Sequence, residues 1–143
     1  MSEVKYRMLE HMSDAYIEAY GRDLSEAYAN AAYALTDTII DIENVKTESM
    51  KVIEVRGFDL INLLYNWLEA ILLEMQVEQN VYREFSTQVS KEDDSWLIRA
   101  ECFGERFVAE KHRPKVEVKA VTYHLMEVID EGKRYVLRFL LDL

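Results

Sequence analysis

The sequence predicts an α+β fold: a single-domain, two-layer sandwich in which a mixed sheet of about seven strands is covered by two main α-helices. Three observations carry that expectation. Apolar residues alternate with polar ones in several short segments, which is the period of a half-buried strand. Two longer segments repeat their apolar residues at helical intervals. Strand-like and helical segments do not alternate regularly, as they would in a parallel α/β fold. The chain has 143 residues, 50% of them hydrophobic and 11% aromatic, enough for one core without disulfides or metals as staples. Four glycines and one proline leave no linker, so residues 1–143 read as one domain.

The elements follow in order. Val4, Tyr6 and Met8 alternate with charged neighbours in a first strand, and "AYIEAYG" forms a second, ending at Gly21. "HMSD", residues 11–14, lies in or beside their connection. Asp23 and Glu26 have capping-box spacing, and Ala27, Ala31, Ala34 and Leu35 then recur as a helical face. Residues 45–56 read as strand up to Gly57. Asp59 can cap the helix "LINLLYNWLEAILLEM", whose stripe runs from Leu60 through Trp67 to Met75. Further strands are expected near 81–90, 95–103 and 115–129. "DEGK" at 130–133 marks a hairpin that returns as 134–142.

Composition narrows the function. Asp plus Glu number 27 against 17 Lys plus Arg, a net charge of −10. Such a surface repels phosphate backbones, so stable direct nucleic-acid binding is not expected, whereas a cation or a basic protein partner suits it. One cysteine cannot form an internal disulfide, and no apolar run reaches membrane-spanning length. With no basic-then-apolar leader at the start of the sequence, a cytoplasmic location is the expectation. There is no phosphate-binding glycine loop, HExxH, paired CxxC or nucleophile elbow. Cys102, mid-strand among apolar residues, reads as a core residue.

The remaining candidates are sparse. His11 and Asp14 share a turn, where an aspartate usually caps local backbone N–H groups. His112 sits in the polar stretch "EKHRP" and reads as exposed loop. His124 sits in a strand and reads as half-buried and hydrogen-bonded. Lys119 falls in a strand-like run, where a lysine ordinarily lies on the solvent face. The last strand, "YVLRFLLDL", carries Asp142 beside the final carboxylate. Adjacent carboxylates repel unless a cation or hydrogen-bond donors compensate, and a hard divalent ion with oxygen ligands is the natural compensator. Otherwise both are simply solvated.

These residues also resemble a family, archease. The turn "HMSD", the alanine-rich helix "DLSEAYANAAYAL", the helix containing "NWLEAILLEM", the run "KAVTYH" from Lys119 to His124, and the terminal "LLDL" match its motifs in order. The chain departs from the pattern at Met12, where the family has Thr, and at Phe103, where it has Trp. The resemblance implies a non-enzymatic accessory protein of an RtcB-type RNA ligase. Such a protein promotes the ligase's guanylylation and multiple turnover in tRNA splicing and binds calcium or another divalent cation. It also implies a metal set of Asp14, Asp142 and the carboxylate of Leu143, with His11, Lys119 and His124 serving the partner or the activity. The alternatives are a metal-dependent hydrolase, or a chaperone-like modulator of other tRNA-modifying enzymes.

Overall fold

The structure, a computed structural model, describes residues 4–9 and 13–143. Its strands are β1 (Tyr6–Leu9), β2 (Asp14–Gly21), β3 (Ser49–Gly57), β4 (Asn80–Glu92), β5 (Ser95–Arg106), β6 (Ala120–Asp130) and β7 (Tyr135–Asp142). The long helices are α1 (Leu24–Ile39) and α2 (Leu60–Gln76), and a single turn, α3 (Ala109–His112), follows β5. The α+β class, seven strands and two main helices stand as the sequence predicts.

The caps form as their sequences dictate. Asp23 Oδ1 accepts the Glu26 N–H at 2.8 Å, and Glu26 reaches back to the Arg22 backbone N–H at 2.8 Å. Asp59 Oδ1 accepts the Asn62 N–H at 2.7 Å.

The single mixed sheet is corrected. The strands form a four-stranded sheet of order β1-β2-β7-β6 and a three-stranded sheet of order β3-β5-β4. Every pairing is antiparallel. The physical reason lies in the β3-α2-β4 crossover. It brings β4 back parallel to β3, but β5 folds over from β4 and inserts between them, so no parallel neighbours remain. Helix α1 packs on β2 of one sheet and β4 of the other, and α2 packs on β3 and β6. The helix pair therefore ties both sheets to one core, in which Tyr28, Leu35, Trp67, Ile17 and Phe139 are fully buried. Gly104 of β5 marks the tightest approach: a Cβ there would meet the Val81 carbonyl oxygen at 1.8 Å.

Two strand starts shift. β3 starts at Ser49, not at 45: Val45 is buried and its N–H closes the 42–44 3-10 turn on the Ile42 carbonyl at 3.1 Å, and the Lys46 N–H goes to Glu105 Oε2 at 2.9 Å. β6 starts at Ala120, not near 115. Arg113 adopts φ 52°, Pro114 has no N–H to give a ladder, and the Lys115 N–H goes to the Ile39 carbonyl at 2.7 Å.

Candidate metal and partner site

Strand alternation places the two aspartates. Ala15, Ile17 and Ala19 of β2, and Leu137, Phe139 and Leu141 of β7, face the core. The residues between them, which include Asp14 and Asp142, take the other face. Pairing then sets Asp14 directly opposite Asp142. Ala120 of β6 flanks Asp142 on its other side, and the Lys119 N–H donates to the Asp142 carbonyl at 2.7 Å. Leu143 packs its side chain on the core, which holds the end of the chain in place. Three neighbouring strands thus terminate together at one end of the sheet.

Both long helices end near it. The Lys115 N–H caps the Ile39 carbonyl of α1, and Gln76 Nε2 of α2 donates to the Val118 carbonyl at 3.0 Å. Residues 113–119 therefore tie both helix C-termini to the start of β6. Helix C-termini are the negative ends of their dipoles, and neither helix carries a basic residue in its last turn. Like charges directly across an antiparallel pair destabilise it. This end of the molecule is electrostatically suited to a cation with oxygen ligands. Among the described residues no group of three His, Cys, Asp or Glu side chains is disposed to hold a metal. Two aspartates alone would need carboxylate, carbonyl or water oxygens to complete a coordination shell.

The other candidates separate. His11 lies outside the described residues. Lys119 is exposed beside Asp142, just ahead of β6 and not within it. His124 is not at this end and is exposed, not half-buried. The β6–β7 register slips between Thr122 and Glu127, so residues 123–125 bulge outward, with Leu125 at φ 60°. The bulge is pinned to α2: Tyr123 stacks on Tyr65 with centroids 4.1 Å apart, and Asn62 Nδ2 donates to its hydroxyl at 2.6 Å.

His112 is the largest departure from the sequence reading. It is 0% exposed. Its Nδ1 accepts the Val108 N–H at 2.9 Å, its Nε2 meets Glu105 Oε2 at 2.8 Å, and its ring stacks on Phe107. Its charged neighbours in "EKHRP" hid this, because burial here comes from a single helical turn folding back on β5. Glu105 holds the cluster together. Burial would raise its carboxyl pKa, but hydrogen bonds from Lys111, the Lys46 backbone N–H and His112 outweigh that and hold it at about 2. A folded-state pKa below the ordinary 4.5 stabilises the protein above that value and is lost as pH falls toward 2. Glu105→Gln is therefore expected to cost up to about 3 kcal/mol at neutral pH, with the gap to wild type closing on acidification. Urea unfolding of both proteins at pH 7 and pH 3 measures it. Cys102 is buried, and burial, then the nearby Glu74 charge, push its thiol up to about 12, so it is an inert core residue as read.

Comparison with known proteins decides the family. The description "Archease protein family (MTH1598/TM1083)" matches residues 6–143. The chain belongs to the archease family. It is 34% identical over 139 residues to the protein archease of Sulfurisphaera tokodaii, covering 97% of this chain and 99% of that one. It is 39% identical over 124 residues to the protein archease of Pyrococcus abyssi, covering 87% of each. The solution structure of Methanobacterium thermoautotrophicum protein 1598 superposes with a TM-score of 0.85 at 31% identity, covering 97% of this chain and 99% of that one. The archease match thus spans both sheets, both helices and the sheet end where Asp14 meets Asp142. No helix among the described residues is long and apolar enough to cross a membrane.

Proposed function

We propose that this archease-family chain is a non-enzymatic accessory protein of an RtcB-type RNA ligase, promoting its guanylylation and multiple turnover in tRNA splicing. The single observation that carries the reading is the pairing of Asp14 with Asp142 at a sheet end shared with Lys119, within a chain that matches the family from end to end of its fold. In this reading Asp14, Asp142 and the carboxylate of Leu143 hold calcium or another divalent cation. The cation supplies a positive centre that neutralises the carboxylates. The chain's own contribution is positional. The β2–β7 register fixes the two aspartates face to face, and the Lys119 N–H fixes the Asp142 backbone. Lys119, exposed beside them, offers a mobile ammonium to the ligase or its nucleotide. His11 and His124 are assigned to the partner side. The net charge of −10 favours docking on a protein over independent binding of RNA.

The test is a ligation assay with the cognate ligase under single-turnover and multiple-turnover conditions, with and without this protein, alongside the protein alone. Stimulation of turnover, with no reaction by the protein alone, is the expected result. Unchanged ligase turnover and guanylylation would sink the proposal, and hydrolytic activity of the protein alone would favour the metal-dependent enzyme instead.

A further inference from the structure

The two sheets have four edges, and three are closed or blunted. Among the described residues β1 runs only 4 residues. β6 is interrupted by its bulge, where Leu125 takes φ 60°. β4 is sealed by the start of α1: the Val89 N–H donates to Ser25 Oγ at 2.9 Å, and Thr87 Oγ1 donates to the Ser25 carbonyl. β3 differs. It runs 9 residues without proline, pairs with β5 without a register shift, and is the outer strand of its sheet. A long, regular edge is a template for another strand. Two groups near its end are already engaged: the Phe58 N–H donates to Asn62 Oδ1 at 3.0 Å, just past the strand, and the Arg56 carbonyl accepts Asn66 Nδ2 at 2.9 Å but keeps a second lone pair.

The side chains of β3 indicate what that strand is. Val52, Glu54 and Arg56 alternate along its exposed face, and Phe58, just past its end, is 73% exposed. Glu54 lies opposite Arg99 of β5, 3.7 Å away, and Arg56 lies 3.7 Å from Glu92. We propose that β3 pairs antiparallel with β3 of a second copy of this chain, centred on Val55, making one continuous six-stranded sheet across a two-fold axis. In that register Glu54 of each copy faces Arg56 of the other. The four charges then form alternating rows, Arg99–Glu54–Arg56–Glu92, that cross the axis twice. Val52 comes level with Phe58 of the other copy, bringing together two exposed apolar residues. Centring the pairing on Ile53 sets Val52 against Glu54 and Met50 against Arg56. Centring it on Glu54 sets Val52 against Arg56. Only the Val55 register matches charge with charge and apolar with apolar.

The pattern makes a specific test possible. Glu54→Arg sets arginine against arginine twice in its own dimer, and Arg56→Glu sets glutamate against glutamate twice. When the two variants are mixed, each mixed pair regains opposite charges at both positions. The experiment is sedimentation velocity of the full chain over a concentration series, with circular dichroism and thermal melts of every variant to confirm folding. Wild type is expected to dimerise reversibly, each variant alone to weaken its dimer roughly tenfold or more, and the equimolar mixture to recover it. A wild type that stays monomeric throughout overturns the proposal. So does a dimer indifferent to both substitutions, or a mixture that fails to recover. A monomeric wild type whose variants nonetheless lose binding to another protein would assign the edge to that protein and not to a second copy. None of these outcomes bears on ligase stimulation by the dilute protein, so the two proposals fail separately.

Discussion

Replacing Asp142 with alanine is expected to leave the metal-free protein as stable as wild type, or slightly more so, while removing its response to calcium. The two effects have opposite signs because one carboxylate does two things. Without a cation, Asp142 faces the like-charged Asp14 directly across the β2–β7 pair, an arrangement that costs a few tenths of a kcal/mol. With a cation, it is one of very few anionic oxygens available, so its loss is expected to weaken affinity by about a hundredfold. At a calcium concentration about 100 times the dissociation constant, wild type should gain about 2.7 kcal/mol of stability from binding, and the variant almost none. Thermal melts with and without calcium, together with calorimetric titration, read both effects. Asp14→Ala should likewise remove the response to calcium. A calcium-dependent stabilisation that survives both substitutions would place the ion elsewhere. A chain extended beyond Leu143 tests the terminal carboxylate in the same way: folding should persist, and calcium affinity and ligase stimulation should fall together.

Trp67→Ala is expected to bring the fold to the edge of unfolding. Trp67 is 0% exposed on the central helix, with its ring edge-on to Phe85 and its Nε1 donating to the Tyr28 carbonyl at 2.8 Å. It therefore joins α1, α2 and the second sheet. Truncation removes the largest buried side chain and leaves a cavity, costing about 3–5 kcal/mol. It also takes the side-chain partner from the Tyr28 carbonyl, at about 1 kcal/mol more. Against a typical total of about 5–15 kcal/mol, this is a large fraction, and the melting temperature should fall by about 10 °C or more. Trp67→Phe keeps most of the volume and should lose roughly half as much. Urea unfolding of the three proteins checks the order. A loss below about 1 kcal/mol for the alanine variant would show that the core closes around the site.

The two substitutions separate what the chain encodes locally from what it encodes through folding. Periodicity alone marked α1 and α2 and the alternation in β2, β4, β5 and β7, because burial of one face repeats at 3.6 or 2 residues whatever lies opposite. Asp23 and Asp59 announced the helix starts, because a cap is satisfied within three residues. Asp14 and Asp142 stood out as chemistry-bearing residues, and the archease motifs gave the chain its family. Pairing was not legible in the same way. That Asp14 faces Asp142 across 128 positions depends on which strands become neighbours, and that is settled by closing loops around a shared core. The division into two sheets turns on β5 inserting between β3 and β4, a choice no local pattern records. His112 looked solvent-exposed because its flanking residues are charged, and it is buried because one turn of helix folds it against Glu105 and Phe107. His124 looked like an ordinary strand residue, and a register slip sets it outside the ladder. Sequence by itself determined the elements, their caps and the residues capable of chemistry, since each of these is set by interactions a few residues long. Tertiary structure decided which of those residues meet, since contact between distant segments is a property of the packed core and not of any stretch of the chain.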